Sequence, residues 1–167
     1  LIQNRSDMEI KSIKDYIANA KDSGYRSYQR QSTIYQNKLD RVGSQAKADE
    51  YVARPGASEH QLALAMDVGQ KSDDVNLSAS FGRTKGGKWV AENCWRFGFI
   101  LRYQAGWEDI TGYKQEEWHF RYVGKEHAKA IYESGLCLEE WLEQRETLQA
   151  VENAVNAQLE EARRRAF

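Results

Sequence analysis

Two of the three histidines stand in company that could bind a metal: Ser58-Glu59-His60 with Asp67 downstream, and Glu116-Glu117-Trp118-His119. A hydrolytic zinc centre uses three imidazole or carboxylate ligands, an open position for water, and a nearby carboxylate to take the water's proton. His60, Asp67 and His119 supply such a ligand set, and Glu116 remains as the base. On a strand through this region, Trp118, Phe120 and Tyr122 share one face while His119 and Arg121 share the other. Arg121 is then expected on the metal side, where a cation can hold a substrate carboxylate. Glu116 would face the wrong way on a straight strand, so this reading demands a turn or bulge between Gln115 and Trp118. Spacing by itself leaves plainer readings open. Glu116 and Glu117 could be solvated turn carboxylates, Arg121 a structural ion-pair partner, and Asp67 a turn cap. His127, in Lys125-Glu126-His127-Ala128-Lys129, reads as helix surface.

The elements that must position these groups follow from apolar periodicity. Ile10, Ile13 and Ile17 predict a helix leading into a short extended segment before Ser23-Gly24. Ser27 is placed to cap a helix whose face carries Tyr28, Gln31, Ile34, Tyr35 and Leu39. The polar stretch from Arg41 to Ala57 reads as a loop or mobile flap. Leu64, Met66 and Val68 alternate with Ala63, Ala65 and Asp67, which predicts a short strand with one bulky face and one small face ending in a carboxylate. Trp89 to Phe97 reads as a helix ended by Gly98, followed by strands Phe99–Tyr103 and Trp118–Val123 and a helix Glu126–Glu133 stopped at Ser134-Gly135. Helices interspersed with short strands on hairpin-sized connections give an α+β fold with a small antiparallel sheet flanked by helices. In the tail, Leu148, Val151, Val155, Leu159 and Ala162 form a narrow apolar stripe on a charged helix. That stripe could dock on the body or pair with another chain; the expectation is a solvated helix partly covering a monomer, with the stripe as the place for any self-association.

Composition narrows the function class. Lysine plus arginine number 24 against 25 acidic residues, a net charge of -1, so no basic excess offsets a nucleic-acid backbone. No apolar run reaches the ~20 residues that span a bilayer, and any signal or anchor is expected outside this stretch, which opens on Leu1. The two cysteines, Cys94 and Cys137, sit in helix-like segments and read as buried thiols.

The wording of these segments carries a resemblance. Ser23-Gly24-Tyr25-Arg26-Ser27 with Gln31, then Ser58-Glu59-His60-Gln61 through Ala65-Met66-Asp67-Val68-Gly69, then Glu116 and Trp118-His119-Phe120-Arg121-Tyr122-Val123-Gly124 resemble, in order, the VanY-type D-alanyl-D-alanine carboxypeptidases. The likeness runs from Ser23 to about Leu142. It implies a hedgehog/D,D-peptidase-like domain over 1–142 and a C-terminal helical extension over 143–167. It also implies a zinc peptidase acting on peptidoglycan stem peptides, at the cell envelope or outside the cell. Zinc ligands would be His60, Asp67 and His119. Glu116 would be the general base, and Arg26 would stabilise the developing negative charge on the carbonyl oxygen. Ser58, Gln31 and Arg121 would line the substrate cleft.

Three departures from the family pattern stand out. Ala63 replaces a glycine near the metal, and a positive φ there would strain it. Glu117 replaces a proline after the base, removing a restraint on Glu116. Gln104-Ala105-Gly106-Trp107 replaces a proline-containing turn. The resemblance leaves several rivals on the same fold: an L,D-carboxypeptidase, a lysin-type endopeptidase, or a wall-binding module without turnover.

Overall fold

The computed structural model describes residues 24–69 and 77–165. The expected helix and extended segment before Ser23 lie outside the described residues. Helix α1 (Tyr28–Val42) is capped as its sequence predicts: the Ser27 hydroxyl accepts from the Arg30 N–H at 3.2 Å, and Gly43 closes it in the left-handed region at φ 66°.

The Arg41–Ala57 stretch is not one long loop. It contains a short helix, α2 (Gln45–Asp49), whose Ala48 is fully buried. Side chains anchor the segment: Asp49 accepts from the Tyr35 hydroxyl at 2.6 Å and from Arg54 Nε at 3.0 Å, and Lys38 lies over the Tyr51 ring. Polarity had suggested mobility, but these polar groups are paired with one another across elements, which periodicity does not reveal.

A 3-10 turn (Glu59–Leu62) then leads into β1 (Ala65–Asp67). Helices α3 (Ala79–Arg83) and α4 (Lys85–Asn93) meet at Thr84, whose hydroxyl donates to the Phe81 carbonyl and accepts from the Gly87 N–H. Gly87 is required there, since a Cβ would stand 2.1 Å from the Phe81 carbonyl oxygen. A 3-10 turn (Cys94–Phe97) ended by Gly98 opens β2 (Phe99–Tyr103). A short helix α5 (Glu108–Thr111), β3 (Glu116–Tyr122), α6 (Lys125–Ser134) and α7 (Leu138–Arg165) complete the order.

The three strands form an antiparallel sheet in the order β1-β3-β2, with helices on its faces, as an α+β reading requires. One face, carrying Met66, Leu101, Trp118 and Phe120, packs against Phe81 and Val90 of α3 and α4 and against Cys94. On the other face Ile100 joins Ala128 and Ile131 of α6 and Trp141 of α7. The polar residues of that second face, Asp67, His119, Arg121 and Arg102, are thereby set along one edge of an apolar core. Cys94 and Cys137 are buried free thiols.

Only the start of α7 belongs to this core, and the helix begins before residue 143. Every residue from 142 to 165 is exposed, including Leu148, Val151, Val155 and Leu159 of the apolar stripe. The expected partial cover over the body is therefore absent among the described residues. Pairs such as Glu160–Arg163 and Glu161–Arg165 support the exposed turns locally. Among the described residues no helix is long and apolar enough to cross a membrane.

Candidate metal centre and active site

Register brings the candidate ligands together. Asp67 is the direct cross-strand partner of His119 on β1 and β3, and the 3-10 turn before β1 delivers His60 to the same point. Asp67 Oδ1 lies 3.3 Å from His60 Nε2 and 3.4 Å from His119 Nδ1. Two ligand atoms held tetrahedrally at ordinary zinc distances are ~3.3 Å apart, so these separations fit one shared ion. Neither approach has hydrogen-bond geometry, and Asp67 Oδ1 is a buried acceptor with no donor. Such an orphan is costly unless a cation completes it. The donor set of two imidazoles and a carboxylate is the chemistry zinc prefers.

Both imidazoles are turned for this purpose. His60 Nδ1 donates to the Gly24 carbonyl at 2.8 Å, which leaves Nε2 with its lone pair toward Asp67. His119 Nε2 faces Glu59 Oε2 at 3.2 Å, which leaves Nδ1 toward Asp67. These tautomers are assigned from the partners each nitrogen meets. Burial pushes the His119 pKa down, but Asp67 and Glu59 override it and push it up to about 9. The surrounding carboxylates thus favour positive charge at this spot, carried by a proton or a metal ion. Burial pushes Asp67 up, and the flanking imidazoles hold it well below the usual carboxylate range.

Glu116 reaches the same centre, its Oε2 3.4 Å from His119 Nδ1. The irregularity demanded by the sequence is present: Leu101 pairs with Phe120, yet Tyr103 pairs with Glu116, so β3 accommodates two extra residues between these pairs. Burial, aided by the Asp67 charge, pushes the Glu116 pKa up to about 7. A carboxylate tuned toward neutrality is suited to exchanging protons. Glu117 extends over Gly82 and accepts from Gln115 Nε2.

Arg26 also faces the centre. Its Nη2 contacts Asp67 Oδ2 at 3.1 Å, and its backbone N–H donates to the His60 carbonyl at 3.0 Å. Gln31, expected in the substrate cleft, is instead buried behind Arg26. Its Oε1 accepts from Arg26 Nη1 at 3.1 Å and its Nε2 donates to the Ala53 carbonyl at 2.6 Å, so both ends of the amide are occupied. Helical periodicity placed Gln31 on the inner face of α1 but did not reveal that its partner would be Arg26. Ser58 is buried just before the 3-10 turn, where its carbonyl accepts from the Gln61 N–H. Arg121 does lie on the metal side, where its Nη1 pairs with Glu59 Oε1 at 2.8 Å.

Three charged residues at this centre received no role from sequence reasoning: Glu59, Arg102 and Glu139. The one available signal was an arginine on the apolar strand Phe99–Tyr103, since a buried guanidinium demands partners.

A profile of the VanY family, described as D-alanyl-D-alanine carboxypeptidase, matches residues 3–125. The D-alanyl-D-alanine carboxypeptidase of Enterococcus faecalis is 41% identical over 128 residues, covering 72% of this chain and 46% of that protein. The solved LdcB LD-carboxypeptidase superposes with a TM-score of 0.67 at 45% identity, covering 81% of this chain and 65% of that one. A point variant of the vancomycin-resistance D,D-pentapeptidase VanY, solved with Zn(II), gives 0.64 at 37% identity, covering 83% and 82%. The chain spans about half the length of the curated relatives it matches. With most of its length matched and the His-Asp-His cluster assembled, the chain belongs to the VanY family of D-alanyl-D-alanine carboxypeptidases.

Proposed function

We propose that this chain is a zinc-dependent carboxypeptidase that removes the terminal D-alanine from peptidoglycan stem peptides ending in D-Ala-D-Ala. The observation that carries the reading is the orphaned Asp67 Oδ1, lying within 3.4 Å of two imidazole nitrogens turned toward it. His60 Nε2, Asp67 Oδ1 and His119 Nδ1 would hold the ion. Zinc bound there supplies Lewis acidity, which lowers the pKa of water toward ~7 and polarises a carbonyl.

The remaining steps belong to the chain's own residues. Glu116 accepts a proton from the attacking water as its oxygen bonds to the penultimate carbonyl carbon. Arg26 donates to the oxygen that becomes negative, a role its place beside Asp67 allows. As the C–N bond breaks, Glu116 returns the proton to the leaving D-alanine amine, so one water is consumed and one amine and one carboxylate form. Arg121, or Ser58, is assigned to the substrate's terminal carboxylate, which would exclude internal peptides. His60, Asp67, His119 and Glu116 all come from one chain, which supports action as a monomer, and the substrate implies the cell envelope or the extracellular space.

A second reading, L,D-carboxypeptidase activity on tetrapeptides, is favoured by the 45% identity to LdcB against 37% to the D,D-pentapeptidase. Free D-alanine released from a pentapeptide and from a tetrapeptide, with zinc-loaded and chelated protein in parallel, tests both. Chelator-sensitive release from the pentapeptide supports the first reading, and release from the tetrapeptide alone supports the second. Release from neither, by protein holding one zinc, overturns both.

A further inference from the structure

Behind His119 a line of buried charges runs from the metal centre to the last helix. Glu59 Oε2 faces His119 Nε2 at 3.2 Å, while its Oε1 accepts from Arg102 Nε at 2.9 Å and forms an ion pair with Arg121 Nη1 at 2.8 Å. Arg102 uses its remaining edge on Glu139, in the first turn of α7, with Nη1 donating to Oε2 at 2.9 Å and Nη2 to Oε1. Side-chain exposure is 12% for Glu59 and 8% for Arg102, so the pairing is largely withdrawn from water. A carboxylate is therefore set against one nitrogen of a candidate metal ligand.

We propose that Glu59 is a positioning residue that fixes the ring orientation and tautomer of His119, and that Arg102 and Glu139 lock Glu59 in place. The proposal rests on the metal site described above. Without an acceptor at Nε2, the one proton of the neutral His119 ring can sit on Nδ1, 3.4 Å from Asp67 Oδ1. That alternative occupies the two atoms meant for the ion. Glu59 excludes it by holding the proton on the far nitrogen, as an outer-shell carboxylate does for a metal-bound histidine. Glu59 would swing between His119 and solvent were it not gripped at Oε1 by two guanidinium groups. Arg102 in turn is oriented by the two-point contact with Glu139, a geometry in which lysine is no substitute. The line crosses four separate parts of the chain: the 3-10 turn, β2, β3 and α7. Removing α7's first turn would therefore loosen His119 through Arg102 and Glu59.

The test uses the full chain and the variants Glu59→Gln and Glu139→Ala. Zinc affinity is read by chelator competition, ligand geometry by the visible spectrum of the cobalt(II) form, and stability by melting of the metal-free protein. A core variant remote from the centre, Ile131→Val, controls for stability loss alone. Glu59→Gln is expected to weaken zinc by about 10–100-fold and to shift the cobalt spectrum. Glu139→Ala shows a smaller change in the same direction, and Ile131→Val leaves both readouts in place. Failure of the unsubstituted chain to bind zinc would overturn the metal-site reading itself. Normal zinc affinity and cobalt spectrum in Glu59→Gln, with the unsubstituted chain binding, would overturn the positioning role alone. Should Glu59→Gln fail to fold, Glu139→Ala decides, because its carboxylate is 37% exposed and its loss leaves the Glu59–His119 contact present. A change in Glu59→Gln with none in Glu139→Ala would remove α7 from the line.

Discussion

Ala63 offers a sharp test of how the metal-bearing turn is built. It closes the 3-10 turn that carries His60, in the left-handed region at φ 56° and ψ 25°, with its N–H donating to the His60 carbonyl at 3.2 Å. Its side chain is exposed, so replacing it removes no packing. An L-residue in this conformation is strained by about 1–2 kcal/mol because Cβ crowds the following carbonyl. Glycine relieves that strain, but it adds unfolded-state freedom that offsets about 0.5–1 kcal/mol. Ala63→Gly should therefore stabilise the fold by about 0.5–1 kcal/mol. For a chain of this size that raises the melting temperature by about 1–4 °C. Ala63→Val should move it the other way, since a β-branched residue fits the left-handed region worse. Thermal unfolding of the three metal-free proteins under identical conditions measures the effect. A glycine variant that melts at or below the parent temperature would refute the claim that residue 63 stores backbone strain.

Further outcomes follow from the site and from α7. Glu116→Gln should keep zinc bound while turnover falls by about 10²–10⁴-fold, measured as D-alanine release beside metal content; near-normal turnover would remove Glu116 as the base. Arg102 holds the Glu139 carboxyl below its ordinary value of 4.5, against the upward push of burial. A carboxyl lowered on folding contributes stability that is present above its unfolded pKa and lost as pH falls through the folded one. Glu139→Gln should accordingly flatten the acid side of the stability-pH curve and lower stability at neutral pH, as denaturant titrations at several pH values would register. Truncation after Thr147 removes, among the described residues, only exposed ones and should leave the melting temperature within about 1–2 °C of the full chain; a larger drop would mean that the apolar stripe is covered in solution.

Much of the site was legible because its chemistry is carried by short, local wording. Ser27 capped α1 and Gly98 and Gly135 ended their turns as residue type dictates, since caps depend on a few adjacent atoms. Strand alternation placed Phe120 in the core with His119 and Arg121 on the opposite face, and the need for a bulge before His119 followed from counting residues along a period of two. At Ala63 the glycine of the family pattern made a positive φ a condition to check, and the structure meets it. The anchored helix α2 and the contact of Gln31 with the Ala53 carbonyl were not legible. Each depends on a polar side chain finding a partner more than ten residues away, and polarity alone reads as exposure.

By itself, then, the sequence determined the kinds of groups present, their order and the faces they occupy: two histidines and an aspartate for a metal, a glutamate for its proton, and an arginine in reserve. Those properties are local, governed by residue type and backbone period. Only the tertiary structure decided that Asp67 would stand opposite His119, that the imidazoles would turn their free nitrogens inward, and that Glu59, Arg102 and Glu139 would line up behind one of them. Register, tautomer and buried charge pairing depend on long-range contacts, because a donor and its acceptor can be any distance apart along the chain once the sheet has closed.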